Sequence, residues 1–500
     1  MRLPQIASPG SKDVATLVVP EYAQSWDRAV ERRVVRKIDM LLLPFMWIGY
    51  GLVYYDKAIL GSGAVLGMTT DLSLKVIDKS TIPPTVSTKR LSWATSLFYF
   101  GMLAGLYPFT YLFQRFRLGR VLGCTVICWG AIAMLTAAVT SWRGLFAQRF
   151  FLGFTESIIP TAFMVITSGY YTQSEQTMRQ CLWYSTTGGW TIIGAAINYG
   201  FAKIDPDAPL ARWQYLYLLA GGLTILFGIL CFFIPDSPVS AWFFTEKEKF
   251  VAVERLRMSQ TGLRCQSVKW SQIREALLDI KVWTLAVMMG AAYCVNGAVS
   301  GFGPLIVSTF GYTAAQSILW QMPLGAVCFV TILIVGYASR YIPNIRLFML
   351  IFCCLPVIAG CAMIWRGTWS YHAPTPVAGY TIIGFFAPVT SLIVSMGMAN
   401  VAGASKKSFM AAAIFVFYCV GNIVGPQLVF SNTIDRHYPA LWLGIIICYC
   451  IVIALAILLY ILLRLENKKR NSLQLDEKEA ERMAFEDRTD KQNPHFRYVM

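Results

Sequence analysis

Charge is scarce in this chain: Asp, Glu, Lys and Arg make up 14% of its 500 residues, where a soluble globular protein holds about a quarter. Histidine is scarcer still. His372, His437 and His495 are the only ones, and all three fall outside the apolar runs. That excludes histidine-based metal sites, histidine proton relays and Ser-His-Asp catalysis. No glycine-rich loop ends in Gly-Lys-Ser or Gly-Lys-Thr, so ATP-driven work is unsupported. No Asn-x-Ser/Thr sequon occurs. No short apolar run with a cleavage site opens the chain, so the first membrane span is expected to act as its own insertion signal. Neither a catalytic residue, a metal nor a cofactor is expected.

What is present is apolar surface. Hydrophobic residues make up 56% of the chain, more than a soluble core could bury and a composition that suits lipid. A span needs about 20 mostly apolar residues. Twelve such stretches are read at 39–60, 92–112, 122–140, 145–168, 181–202, 213–234, 283–303, 318–337, 346–365, 377–398, 409–430 and 439–463. The expected fold is an all-α membrane protein of twelve transmembrane helices. The thirteen cysteines lie mostly within these stretches and read as small packing residues.

The net charge of +16 would suggest nucleic acid in a soluble protein. Here it follows the loops. Arg28, Arg32, Arg33, Arg36 and Lys37 precede the first span, Arg115, Arg117 and Arg120 follow the second, and Lys468, Lys469 and Arg470 follow the last. Lys and Arg mark cytoplasmic loops, so both termini are expected in the cytoplasm and no nucleic-acid partner is expected. The first external loop, with Lys75, Lys79, Lys89 and Arg90, is the dissenting region.

Five segments follow: a tail at 1–37, six spans over 38–234, a hydrophilic connection at 235–281, six more spans over 282–463, and a tail at 464–500. Pro235-Asp236-Ser237-Pro238 stops the sixth span. Thr245-Glu246-Lys247-Glu248 reads as a capping box opening a short surface helix through Arg257. The mixed-charge C-terminal tail is expected to be disordered or loosely helical. Gly101/Gly105 and Gly421/Gly425 carry the spacing that lets helices approach closely. Asn422, Pro426 and Gln427 beside the second pair suggest a bend there.

Charges inside spans are costly and usually face a cavity. Asp56 and Lys57, placed toward the far end of span 1, lie about 100° apart on a helix and cannot point the same way. Arg149 and Glu156 are two turns apart on one face of span 4. A cation and an acid on one inward stripe suit an anion-binding cavity with a proton-carrying partner, and a structural ion pair is the plain alternative. Among neutral polar groups, Asn198, Asn296, Gln321, Asn422 and Gln427 suit helix–helix hydrogen bonds. Asn296 stands out. The Gly-rich stretch from Asn296 to Pro304 is expected to break its helix and expose backbone polar groups to a cavity.

With these residues in view, the chain resembles the major facilitator superfamily, its anion:cation symporter group and the fungal allantoate permease branch. The resemblance rests on an ordered set running from Arg36-Lys37-Ile38-Asp39 and Tyr55-Asp56-Lys57-Ala58 to Gly421 through Gln427. Gln114 through Arg120, Arg149 through Gly153 with Glu156, and Pro235 through Pro238 belong to the same set. It implies two six-helix bundles alternating access to a central site, and proton-coupled movement of a small organic anion. By position, it implies substrate contact at Lys57 and Arg149; Asn296, Gln321, Asn422 and Gln427 are further candidates as polar groups within spans. It implies proton coupling at Glu156, with Asp56 as a second candidate, and a gating loop of Arg115, Arg117, Gly119 and Arg120. That loop departs from the superfamily pattern by lacking its acidic residue. The partners implied are the anion, protons and the lipid bilayer, with a monomer in the plasma membrane. An exporter of the same fold and a nutrient sensor on a transporter scaffold are the rival readings.

Overall fold

Among the described residues, eleven helical stretches are long and apolar enough to cross a membrane: Ala29–Asp71, Lys89–Phe113, Leu118–Ala138, Trp142–Tyr170, Arg212–Cys231, Ile280–Ser308, Ala314–Ser339, Arg346–Arg366, Pro374–Asn400, Ala404–Gln427 and Pro439–Asn471. The twelfth, span 5, is split into Gln173–Tyr184 and Thr186–Ala202. The cause is local. The hydroxyls of Ser185, Thr186 and Thr187 each donate to the carbonyl three residues back, competing with the helical ladder at successive positions. Numbered in chain order, these are spans 1 to 12, and every stretch read from hydrophobicity falls on one of them. The computed structural model describes residues 28–78, 85–205, 207–258, 269–342, 344–369, 373–472 and 488–500. His372, Lys79 and the first 27 residues lie outside these.

Twelve spans bring the two chain ends to one face, called here the terminal face. The opposite face carries the sole departure from an all-helical chain among the described residues. Strands β1, Val76–Asp78, and β2, Thr85–Ser87, pair antiparallel with Val76 opposite Ser87. Large apolar side chains such as Tyr107, Phe352 and Ile334 stand exposed along the spans, a pattern that lipid covers.

Glycine decides where helices touch. A Cβ at Gly101 or Gly105 of span 2 would strike the backbone or Ser157 hydroxyl of span 4, and one at Gly421 or Gly425 would strike the backbone of span 7. The tight packing expected from their spacing is present. The break expected at Asn296–Pro304 is not: span 7 runs unbroken as a helix from Ile280 to Ser308 with Pro304 inside it. Its glycines serve close approach instead. A Cβ at Gly297 would meet the backbone of Asn422 at 2.6 Å, and one at Gly301 would meet Thr95 at 2.7 Å. Span 11 likewise continues through Pro426 to Gln427, where it simply ends.

In the connection after span 6, Thr245 and Glu248 form the expected capping box at the start of helix Glu246–Met258. That helix is fixed to the first six spans by Lys37–Glu248 at 2.8 Å and Arg255–Glu175 at 2.9 Å.

Residues 473–487 of the C-terminal tail lie outside the described residues, and the rest of the tail corrects the expectation of disorder. Span 12 continues to Asn471, and residues 488–500 fold back beneath spans 7, 11 and 12 as a strap. Asp490 is fully buried between Lys281 and Lys406, with Oδ1 2.7 Å from the Lys406 amine. Lys406 also meets Asp279 at 2.7 Å and Glu275 at 2.8 Å. Arg470 donates to the carbonyls of Asp490, Asn493 and Phe496. A mixed-charge segment can order when each buried charge finds an opposite one.

Candidate functional site

Span 1 is the axis of the site. It continues past Lys57 to Asp71, so Asp56 and Lys57 lie deeper than their expected place near its far end. Both are almost fully buried, at 2% and 7% exposure, which rules out snorkelling to the interface. Their divergence is as expected. Asp56 turns into the first bundle and accepts from the indole of Trp129 on span 3 at 2.8 Å. Lys57 turns toward the second bundle. Its amine lies 3.2 Å from Glu156 of span 4, donates to the hydroxyl of Tyr418 on span 11 at 3.4 Å, and stands over the rings of Tyr54 and Phe98.

Glu156 is completely buried, and neither of its oxygens accepts a well-aligned hydrogen bond from a described residue. Lys57 is its ion-pair partner. Helix Trp142–Glu156 stops there and another begins at Ile158. Pro160 has no N–H to give to the carbonyl of Glu156, which explains a break at this point.

Arg149 is also buried, but it faces away from Lys57's neighbours across the bundle interface. Its guanidinium donates to the hydroxyl of Tyr217 on span 6 and lies within electrostatic reach of Asp56 and Glu156.

Beside Lys57 a cavity of about 60 Å³ opens between the bundles, walled by Tyr54, Ser62, Thr187, Asn198, Asn296, Gln321 and Phe386 among others. That is room for a few waters, far below the ~300 Å³ or more of an organic-ligand site. On its terminal side the bundles meet through hydroxyls. Tyr184 of span 5 bonds Tyr293 of span 7 and, at 2.8 Å, Thr390 of span 10. Toward the opposite face, Ser96 of span 2 donates to the carbonyl of Ile423 and accepts from Gln427, both at 3.0 Å. Thr88 and Ser431 join further out. The site is closed from both faces.

Of the residues singled out from sequence, Lys57, Asn198, Asn296 and Gln321 line the cavity. Arg149, Asn422 and Gln427 do not. Asn422 accepts from Asn296 at 2.7 Å and so stands one residue behind the wall. Gln427 belongs to the closure just described. Gln321 accepts from Tyr380 at 2.7 Å. Asp56 and Glu156 sit behind Lys57 inside the first bundle. Gly119 packs against the end of span 6, and its N–H donates to Asp236 at 3.4 Å. Arg115, Arg117 and Arg120 are exposed on the terminal face.

The hydroxyls of Tyr54, Tyr184, Tyr293 and Tyr418 were not marked by the sequence reading. Two carried a signal: Tyr54 is three residues before Lys57 and Tyr418 four before Asn422, spacings that share a helix face.

Two six-span bundles with a cavity between them that one buried cation faces are the architecture of a membrane transporter. Residues 46–426 match the Major Facilitator Superfamily, and the chain belongs to it. The chain is 35% identical to an uncharacterized transporter of Schizosaccharomyces pombe, over 93% of this chain and 87% of that one. It is 32% identical to the allantoate permease of Saccharomyces cerevisiae, over 94% of this chain and 87% of that one. Among solved structures, the proton:xylose symporter XylE bound to 6-bromo-6-deoxy-D-glucose superposes with a TM-score of 0.65 at 12% identity, covering 87% of this chain and 96% of that one. The resemblance to the fungal branch of this superfamily holds, and the family is one of transporters, not enzymes.

Proposed function

We propose that the protein is a proton-coupled symporter that takes up a small organic anion, a carboxylate such as allantoate or a vitamin-type acid. The observation that carries this reading is the Lys57–Glu156 pair at the cavity wall. While Glu156 is charged, it holds the one cation that faces the cavity among the described residues. A proton on Glu156 removes that partner and leaves Lys57 unpaired. A buried, unpaired charge is costly, so an anion entering the cavity is drawn to it. Proton and anion therefore bind together, and the net charge of the site is unchanged once both are bound. On release, deprotonated Glu156 reclaims Lys57 and expels the anion.

Lys57, not Arg149, receives the carboxylate in this scheme, because Arg149 is held by Tyr217 within the first bundle. Arg149 instead balances Asp56. Lysine is a point charge, not a bidentate fork, so the amides of Asn198, Asn296 and Gln321 fix the substrate's orientation. The Tyr184–Tyr293–Thr390 layer and the Ser96–Gln427 contacts are the two closures that part in turn. The similarity to the allantoate permease supports allantoate or a related carboxylate as cargo. The terminal face is assigned to the cytoplasm by its excess of Lys and Arg, with the plasma membrane as the site and a monomer as the working unit.

The test is uptake of labelled carboxylates, allantoate first, by cells expressing the chain at external pH 5 and pH 7. Faster uptake at pH 5 is expected. Glu156→Gln should abolish the pH dependence and leave substrate exchange. Proton coupling that survives unchanged in this variant refutes the role of Glu156.

A further inference from the structure

The turn between spans 2 and 3 holds a second candidate site, separate from the central cavity. It is an open cleft of about 450 Å³ at the terminal face, walled by Leu112, Arg115, Phe116, Arg117, Arg120 and Val121, with Cys124 and Thr125 beyond. All three arginines are exposed. None meets a carboxylate of the described residues within ion-pair distance. Three other arginines at that face are held by partners: Arg179 by Asp39, Arg255 by Glu175, and Arg470 by the strap. Asp236, the nearby acid, is turned to the N–H of Gly119.

The other half of the cleft is apolar and continuous with the lipid-facing surface. Phe116 is 60% exposed, and Cys124 and Cys128 continue the exposed face along span 3. Three guanidiniums without a carboxylate partner among the described residues, at the terminal end of span 2 and above an apolar wall that continues along span 3, fit one amphipathic anion. A free phosphate would use the arginines and leave the apolar wall wet.

We propose that this cleft binds an anionic phospholipid of the leaflet on the terminal face, its phosphate and carboxylate or inositol headgroup taken by Arg115, Arg117 and Arg120 and its acyl chains lying along Phe116, Val121 and Cys124. Basic pockets between spans on that side are suited to such headgroups, and the planar fork of arginine suits phosphate oxygens. The missing acid of this loop is what leaves the three cations available.

The experiment uses the full chain purified in mixed micelles of phosphatidylcholine and phosphatidylserine, with retained lipid read by native mass spectrometry. The wild-type protein should retain phosphatidylserine over phosphatidylcholine. Each Arg→Gln change should weaken retention about fivefold, and the triple Arg115→Gln, Arg117→Gln, Arg120→Gln variant should lose the preference. The triple Arg→Lys variant keeps the charge and should keep most of the retention, and Arg120→Gln alone gives the same reading should the triple variant fail to fold. Lys468→Gln with Lys469→Gln, exposed cations at the end of span 12, serves as the control and should change nothing. The proposal is overturned if the control loses phosphatidylserine as readily as the triple variant. Equal retention of the two lipids by the wild type overturns it, and so does full displacement of phosphatidylserine by inorganic phosphate.

Discussion

The first six spans bury four side chains of charged type within the bundle: Asp56, Lys57, Arg149 and Glu156. The last six meet them across the cavity with neutral groups, Asn296, Gln321, Asn422 and the hydroxyls of Tyr293 and Tyr418. Their own buried charges, Lys281, Lys406, Asp279 and Asp490, are gathered at the terminal face under the strap. The two clusters have opposite designs. At the face, Lys406 has three carboxylates around it, so losing one contact leaves others. At the cavity, Lys57 has the single acid Glu156. A pair with one partner on each side is the arrangement that a proton or an incoming anion can switch. A network with spare partners holds its place.

The largest effect is expected at the switchable pair. Lys57→Met leaves Glu156 without its cation, and breaking a buried pair costs about 3–5 kcal/mol. Anion uptake should fall to background and the thermal midpoint of the purified protein should drop. Lys57→Met with Glu156→Met replaces the pair by apolar groups of similar size, a change that is often neutral. It should restore the midpoint and leave uptake lost. Should the double variant melt as low as the single one, the pair is part of a wider network and the contrast between the clusters fails.

The strap comes next. Asp490→Asn removes the carboxylate between Lys281 and Lys406, while Asp279 and Glu275 remain, so the loss should be smaller, about 2 kcal/mol. Uptake per folded molecule should be retained. Burial alone would raise the Asp490 carboxyl, but the Lys281 and Lys406 ammoniums hold it below the usual carboxylate range. A depressed folded-state value means that its contribution is present above the ordinary aspartate value near ~3.9 and fades as pH falls below that. The hydrogen-exchange protection of residues 488–500, corrected for the intrinsic pH dependence of amide exchange, should therefore be the same at pH 7 and pH 5. Release of the strap between those values would show that another group holds it.

How much of this was readable beforehand depends on how local each cause is. Spans depend on runs of apolar residues, and all twelve were legible. The capping box at Thr245 and Glu248 is a four-residue pattern, equally legible. The divergence of Asp56 from Lys57 follows from helix geometry, but their partners do not. Trp129 and Glu156 come from spans 3 and 4, and nothing in the intervening sequence fixes which face of those helices turns inward. Arg149 illustrates the same limit: it shares a face with Glu156, yet Tyr217 from span 6 takes its guanidinium. The glycines from Gly297 to Gly303 could serve either a break or a close approach, and only the presence of Asn422 and Thr95 opposite them decides. The strap was hidden because Lys281 and Lys406 look like ordinary loop cations until Asp490 is seen between them.

Third in size is the amide pair of the last six spans. Asn422→Ala removes the acceptor of the Asn296 side chain at 2.7 Å, and interhelical hydrogen bonds of this kind average about 0.6 kcal/mol and reach about 2. Because Asn296 lines the cavity, KM should rise a few-fold while the pH dependence of uptake is unchanged. Loss of pH dependence would mean that the neutral side of the cavity takes part in coupling.

The smallest effect is expected where the two halves touch at the pair itself. Tyr418 of span 11 reaches Lys57 with its hydroxyl at 3.4 Å, long for a hydrogen bond. Tyr418→Phe keeps the ring, and with it the edge contact to Tyr293. It removes one weak acceptor, so the expected change in KM is twofold or less, since a typical net hydrogen bond is worth about 1 kcal/mol and this one is stretched. The comparison gives the variant its value. If coupling is a matter for the first six spans alone, the pH profile of uptake in Tyr418→Phe should overlay the wild-type profile. A profile displaced as far as that of Glu156→Gln would mean that Lys57 is held in place from across the cavity, and that the neutral bundle, through one hydroxyl, shares control of the switch.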